Sequence, residues 1–406
     1  MSDTSAPRPV LAPVAPDTIR PAESGPGSLV NAVRKDPTAL LYFLLNVGDG
    51  DTQCLVLPPD SNTGVRRLVV VDVATTGKLP ALLDSLHDAG VVNEPLGAPR
   101  QIALLVATHP HSDHIGGMSD LVRRFNNPNG CIDQFWDPGY YFPGPTFHNL
   151  MAVLESSPWI RRLQPTGGTT LTLDAAKLTV IGPGIGLRTR FDTYGVEIND
   201  SSITIMVDYP AARLYAEEDQ DKGDRNNRRE VDIRSRRILL GGDAQFTSWA
   251  QATVDFPNVL QHQDPLLAKE LRASTGRDLL AADIFKLSHH ASKHGINLEL
   301  MERVGAKYVF VSSVSGGGSY NFPHALAMDA VREARQPITS SGARRLTDHE
   351  LGIHATAGVL DDRRQTPLGS LVAVVPRRPS QAIRLFRLMD GSRQPVDLSA
   401  AREVLT

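Results

Sequence analysis

Cysteine is nearly absent: Cys54 and Cys131 are the only two in 406 residues. Two thiols exclude a disulfide framework and a cysteine-based zinc site. They read as ordinary semi-buried thiols and fit a reducing compartment. Excess positive charge is lacking too. With 42 Lys and Arg against 45 Asp and Glu, the formal net charge is -3, which removes any global attraction to nucleic acid or acidic membrane. No window holds ~18 consecutive apolar residues, so no membrane span is expected. The opening "MSDTSAPRPVLAPVAPDTIRPAESGPGSL" has no continuous apolar stretch of the kind a signal peptide needs, so the expected location is the cytoplasm. No serine or cysteine sits in a G-x-S-x-G context, which removes the usual covalent nucleophile.

What is present is an ordinary globular composition, 41% hydrophobic and 21% charged, over a length that suits one large domain or two smaller ones. Residues 1–38 are rich in Pro, Ala and Ser and read as a disordered leader. From there, short apolar runs rich in branched residues alternate with turn signals and amphipathic segments. "LYFLLNV" (41–47), "CLVLP" (54–58), "RLVVVDV" (67–73) and "IALLVA" (102–107) read as strands. "KLPALLDSLHDAG" (78–90) reads as a helix ending at Gly90, with a second over about 117–125. The later chain repeats the grammar, with strands at 202–209, 212–216, 236–243, 282–290, 307–313, 370–376 and 383–388, and helices near 246–253, 264–274 and 325–335. Strands outnumber helices, which suggests two sheets packed face to face with helices outside. The mixed-charge run "AEEDQDKGDRNNRREVDIRSRR" (216–237) reads as a solvated hairpin extension. In the alternative, Arg228, Arg229, Arg234, Arg236 and Arg237 hold an anionic substrate.

The chemistry concentrates in "LLVATHPHSDHIGGMSDL" (104–121). His109, His111, Asp113 and His114 follow a buried strand within six residues. In extended backbone alternate side chains point the same way, so His109 and His111 reach one point. Asp113 and His114, at the turn into a helix, reach a second point nearby. Gly116 and Gly117 let that helix start approach closely. Imidazole nitrogens with a carboxylate suit a borderline cation such as zinc. A lone histidine is usually structural; four such groups spaced H-x-H-x-D-H are a metal signal.

This stretch resembles the signature of the metallo-β-lactamase-fold hydrolase superfamily and, more narrowly, the hydrolase domain of ComEC-like competence proteins. The likeness extends in family order through "FLLNVGDGD" (43–51), "VVVDVATTG" (69–77), "NDSSITIMVDY" (199–209) with "ILLGGDA" (238–244), "FKLSHHASKHG" (285–295) and "SYNFPHA" (319–325). The resemblance implies an α+β, αββα four-layer sandwich over 39–395, with strands of 351–390 completing it and the site at one edge between the sheets. It implies two divalent ions, zinc foremost and manganese the alternative. Asp243, a carboxylate closing a buried strand where only pairing or a metal makes its charge tolerable, would bridge them. His109 and His111 would serve one ion, with Asn199 or Asp200 as a further ligand. Asp113, His114 and His290 would serve the other. Where many members of the superfamily carry another histidine, this chain has "NDSS", which leaves the first site poorer in nitrogen. Asp72 would orient a ligand histidine from outside the coordination sphere; the alternative is a plain strand-end residue. Asp51 lies in "GDGD", a turn on any reading.

The implied activity is hydrolysis by a metal-activated water. Asp113 would orient the nucleophile, and His289, His324 and Lys293 are the candidates to meet the leaving group, with His294 behind them. Three readings follow: a phosphodiesterase acting on an anionic small molecule or nucleic acid, a hydrolase of a small ester, lactone or amide, and a binding or regulatory module without activity. The arginine pairs Arg66–Arg67, Arg123–Arg124, Arg161–Arg162 and Arg228–Arg229 would have to form a basic face for a nucleic-acid substrate; such pairs are more often solvated surface.

Overall fold

The computed structural model describes residues 28–94, 97–125, 130–188, 197–210, 235–256, 278–312, 322–336, 346–361, 364–378 and 380–404. The first sheet takes β1 (Leu40–Leu44), β2 (Thr52–Val56), β3 (Leu68–Val73), β4 (Ile102–Val106), β5 (Gln134–Trp136) and β6 (Arg161–Leu163). The second takes β7 (Thr170–Leu173), β8 (Ala176–Gly182), β9 (Thr204–Tyr209), β10 (Arg236–Leu240), β11 (Ile284–Lys286), β12 (Tyr308–Val311) and β13 (Ile353–Ala355). A separate hairpin, β14 (Ala357–Asp361) and β15 (Arg364–Pro367), leads back to the first sheet through β16 (Leu371–Val375), β17 (Arg384–Arg387) and β18 (Arg402–Val404). The first sheet is ordered β18-β17-β16-β1-β2-β3-β4-β5-β6, the second β13-β12-β11-β10-β9-β8-β7.

Period-two side-chain alternation builds the layers. Leu40, Tyr42 and Leu44 of β1 face the second sheet, sharing a core with Ile205, Val207, Ile238, Leu240, Ile284 and Phe310. Leu41 and Phe43, between them in sequence, face the other way. They pack under α1 (Ser28–Lys35), α2 (Lys78–Asp88), α4 (Met118–Arg124) and α5 (Pro145–Glu155), a layer that also holds the short α3 (Ser112–Ile115). Beyond the second sheet, Leu239, Phe285 and Val309 pack against α7 (Phe246–Asp255), α8 (Leu298–Val304) and α9 (Ala325–Arg335), with the short α6 (Ile185–Arg188) beside them. The result is the four-layer αββα sandwich. Each inner strand is buried on both faces, which is why the strands read as continuous apolar runs rather than alternating ones.

The packed unit exceeds the expected bounds at both ends. Ser28–Lys35, inside the segment read as leader, is a helix whose Leu29, Ala32 and Val33 are in the core. β18, past residue 395, pairs with β17. The strand expected over 282–290 stops at Lys286, because the backbone turns left-handed at the histidines. The strand expected at 212–216, the helix at 264–274, and Arg228, Arg229 and Arg234 lie outside the described residues. Cys54 and Cys131 are buried free thiols rather than semi-buried ones. No helix among the described residues is long and apolar enough to cross a membrane.

Candidate metal centre

β3, β4 and β5 run parallel in the first sheet, and β10, β11 and β12 run parallel in the second. The C-terminal ends of these two groups meet at one edge, where loops can converge on a ligand. His109 and His111 leave β4 there, and His111 precedes the first turn of α3 with extended backbone. α3 can dock closely only because Gly116 and Gly117 follow it. A Cβ on Gly116 would lie 2.6 Å from the Ala74 carbonyl oxygen, and one on Gly117 2.5 Å from that of Thr75. On the other sheet, Gly241 lies where a Cβ would come within 2.9 Å of both the Lys286 carbonyl and the Ser288 nitrogen. This lets the chain after β10 cross beneath the turn after β11. The turn itself carries positive φ at His289, His290 and Ala291 (48°, 50° and 60°). The His289 amide donates to the Gly242 carbonyl at 2.9 Å, and the His324 amide to that of Ala291 at 2.9 Å.

The buried Asp243 stands between the two groups of histidines. Its Oδ2 is 3.7 Å from His109 Nε2 and 3.7 Å from His289 Nε2. Its Oδ1 is 3.2 Å from His114 Nε2 and 3.8 Å from His290 Nε2. Asp113 Oδ2 lies 3.8 Å from His114 Nε2 and 3.7 Å from His290 Nε2, and His111 Nδ1 is 3.1 Å from His109 Nε2. Ligand atoms tetrahedrally bound to zinc at about 2.0–2.2 Å stand roughly 3.3–3.6 Å apart, so these spacings are of coordination size. Among the described residues, three groups of side chains bring their ligand atoms within 4.8 Å of one another, close enough to hold an ion: His109, His114 and Asp243; Asp113, His114 and His290; and Asp51, Asp72 and His114.

The outer hydrogen bonds decide what the inner atoms are. His114 Nδ1 lies 2.8 Å from Asp72 Oδ2, and Asp72 also accepts from the Thr108 amide at 2.8 Å and its hydroxyl at 2.7 Å. His290 Nδ1 lies 3.1 Å from Ser312 Oγ. With Nδ1 protons pointing outward, both rings turn bare Nε2 lone pairs inward. His114 Nε2, Asp243 Oδ1 and His290 Nε2 are buried, and none makes a hydrogen bond. A space faced by such acceptors alone calls for a cation.

In the metal-free protein, protons answer part of that demand. Burial would push His114 and His290 down, but Asp243 with Asp72 on the first, and Asp243 with Asp51 on the second, outweigh it and raise both. Burial would push Asp243 up, but His114 and His290 hold it well below the usual carboxylate range. Burial, with neighbouring histidines, lowers His109 and His289.

The remaining expected residues divide. Asn199 joins the centre from a 3-10 turn, its Nδ2 3.5 Å from His289 Nε2. Asp200 faces away. Its carboxylate accepts from the Ser248 amide at 3.2 Å and hydroxyl at 3.0 Å, tying down the first turn of α7; adjacent residues in a tight turn cannot share a direction. Lys293 and His294 are exposed just past the histidine turn. His324 is half-buried before α9, where its Nδ1 accepts from the Leu326 amide at 3.2 Å. Arg236 and Arg237 open β10, at the end opposite Asp243, and bind Asp283 and Asp208; they are not placed to hold a substrate at the centre. The other described pairs have local partners as well. Arg66 is buried against backbone carbonyls, Arg67 pairs with Asp174, Arg123 with Asp120, Arg124 with Asp84 and Arg161 with Asp133. Gln245, Ser312 and Lys286 escaped the sequence reading. Gln245 Nε2 approaches His289 Nδ1 at 3.4 Å, and Lys286 pairs, fully buried, with Asp51. A lysine inside a buried strand just before "SHH" was the available signal for the last of these.

Residues 63–168 match the family model described as the metallo-beta-lactamase superfamily. The architecture, mixed α and β around two large sheets, is the metallo-β-lactamase fold. Among curated proteins nothing matches. Solved structures that resemble the chain include a diphosphatase of the PhnP family (14% identity over 67% of this chain and 85% of that one, TM-score 0.32). Others are the metallo-beta-lactamase fold protein YhfI from Bacillus subtilis (8%, 73% and 93%, 0.35) and a long form RNase Z from yeast (10%, 68% and 38%, 0.32).

Proposed function

We propose that the chain is a metal-dependent phosphodiesterase of the ComEC-like branch, working in the cytoplasm on an anionic nucleotide or nucleic-acid substrate. The observation that carries this reading is the ring of unpaired acceptors around Asp243: two histidine Nε2 atoms and a carboxylate oxygen, buried and without hydrogen bonds. His109, His111 and Asp243 would hold one divalent ion, and Asp113, His114, His290 and Asp243 the other, with zinc preferred for this nitrogen and carboxylate set. A pair of ions so held supplies an activated water at neutral pH and charge stabilisation of both the attacking and the leaving oxygen of an in-line displacement.

The chain's own residues do the rest. The Asp113 side chain is 36% exposed, whereas Asp243 is buried, so Asp113 is the carboxylate that meets solvent and orients the nucleophile. His289 is neutral, because burial lowers it despite Asp243. Its Nε2 lies 3.7 Å from Asp243 Oδ2, which makes this ring the candidate to meet the leaving oxygen. His324 accepts at Nδ1 and so carries its proton on Nε2. Lys293, exposed beside it, offers a phosphate a positive charge at the rim. The experiment is metal analysis of the purified protein together with hydrolysis of bis(p-nitrophenyl) phosphate and single-stranded DNA, set beside a lactone and a chromogenic β-lactam. Metal-dependent cleavage of a phosphodiester is expected. Turnover of the lactone or β-lactam alone would move the assignment to a small-molecule hydrolase, and bound metal with no turnover of any would favour a binding module.

A further inference from the structure

The structure assigns Lys286, Asp51 and Ser312 to a buried positioning chain that keeps the His290 proton on Nδ1, so that Nε2 faces the metal centre as a bare lone pair. Lys286 follows the inward-facing Ile284 by two residues on β11, so it points between the sheets rather than to solvent. Its ammonium and the Asp51 carboxylate are both 0% exposed and are paired through Asp51 Oδ2. The other oxygen, Oδ1, takes the hydroxyl of the buried Ser312. Ser312 Oγ lies 3.1 Å from His290 Nδ1.

The direction of each bond follows from what the groups can do. An ionised carboxylate only accepts, and an ammonium only donates. The Ser312 proton must therefore point to Asp51, which leaves its oxygen to accept from His290 Nδ1–H. Lys286 holds Asp51 by its far oxygen, so the near one stays aimed at Ser312. Asp51 is anchored at the backbone as well: its amide donates to the Asp113 carbonyl at 3.0 Å, and its carbonyl accepts from the Ala74 amide at 3.1 Å. The chain thus joins the two sheets beneath the centre, from the start of β2 to β11 and the end of β12. His114 is held differently, with Asp72 directly on its Nδ1 at 2.8 Å. Two buried carboxylates, one in contact and one acting through a serine, would each orient one histidine of the same ion, and such partners are commonly worth ten- to a hundredfold in metal affinity. A buried lysine is costly to keep without a task of this kind.

This inference rests on the reading of His290 as a metal ligand, and its test separates the two. In metal-free, histidine-labelled protein at alkaline pH, nitrogen NMR should show His290 as the Nδ1–H tautomer. Ser312→Ala and Lys286→Met should turn it into a mixture, and Ser312→Thr should restore it. Cobalt titration followed by visible absorption should show the ion held by His290 weakened about ten- to a hundredfold in Ser312→Ala, with the other ion retained. The double variant Asp51→Leu/Lys286→Met removes both buried charges, and covers the case in which Lys286→Met alone fails to fold; it should give the same tautomer mixture. A wild-type tautomer pattern with no cobalt bound would support the positioning chain and refute the metal centre. Cobalt bound equally, with the His290 tautomer unchanged in all variants, would refute the positioning chain and leave the metal centre standing.

Discussion

After β4 the chain delivers His109, His111, Asp113 and His114 from one contiguous loop; after β10 and β11 it delivers Asp243, His289 and His290 from two separate strand ends. The first loop keeps ordinary backbone and obtains its closeness from missing side chains, at Gly116 and Gly117. The second obtains its geometry from strain, with three consecutive non-glycine residues in the left-handed region, a conformation that costs of order 1–3 kcal/mol each when over-determined by its surroundings. One half makes room for its ligands and the other bends to present them. The two meet at Asp243, which approaches His109 and His114, and again where Asp113 approaches His290; the comparison can be broken first at Asp243.

Asp243→Asn should release metal from both halves together and lower turnover at least about a thousandfold, read by metal analysis beside kinetics. Retention of both ions would show that the halves bind independently. Next, the two bent histidines should separate. His290→Ala is expected to lower metal content. His289→Ala should spare metal and reduce turnover by about 10²–10⁴, the range of a lost general acid or base. The opposite pattern would exchange their roles.

Glycine swaps then set room against strain. Gly116→Ala should destabilise by about 1–3 kcal/mol, since its Cβ meets backbone oxygens that cannot yield. Ala291→Gly should cost nothing or gain up to about 1 kcal/mol by relieving positive φ. Denaturant titration compares the two, and equal losses would erase the distinction. A smaller effect is expected from pH. His114 and His290 are raised by their carboxylate neighbours. Their contribution is therefore full below the unfolded histidine value near 6.5 and is lost as pH rises through the folded one. The melting temperature of chelator-treated protein should fall as pH rises above about 6.5, and saturating zinc should abolish the fall. Below about 8.5 the buried Cys54 thiol, pushed up to about 12, is not yet involved. Last, Asp200→Asn should cost about 1 kcal/mol through the first turn of α7 and leave metal content unchanged. Loss of metal there would return Asp200 to the centre.

The sequence by itself determined what depends on neighbours along the chain. The apolar runs, the glycines and the H-x-H-x-D-H spacing place a four-group cluster at a strand end. Short apolar runs that outnumber the amphipathic segments are enough to suggest two stacked sheets with helices outside. Asp243 entered through the family resemblance, to which its place as a carboxylate ending "ILLGG" lent support. What the tertiary structure decided are contacts between residues far apart in sequence. Asp51 could not be distinguished from a turn residue until β11 brought Lys286 beneath it. Ser312 had no visible task until β12 set it against His290. Asp200 looked equivalent to Asn199 until a single turn of 3-10 helix sent one to the centre and the other to α7. Arg236 and Arg237 looked available to a substrate until strand direction put them at the wrong end of β10. The physical reason is common to all four: a hydrogen bond or ion pair is set by where two side chains point in space. One chain segment carries only half of that information.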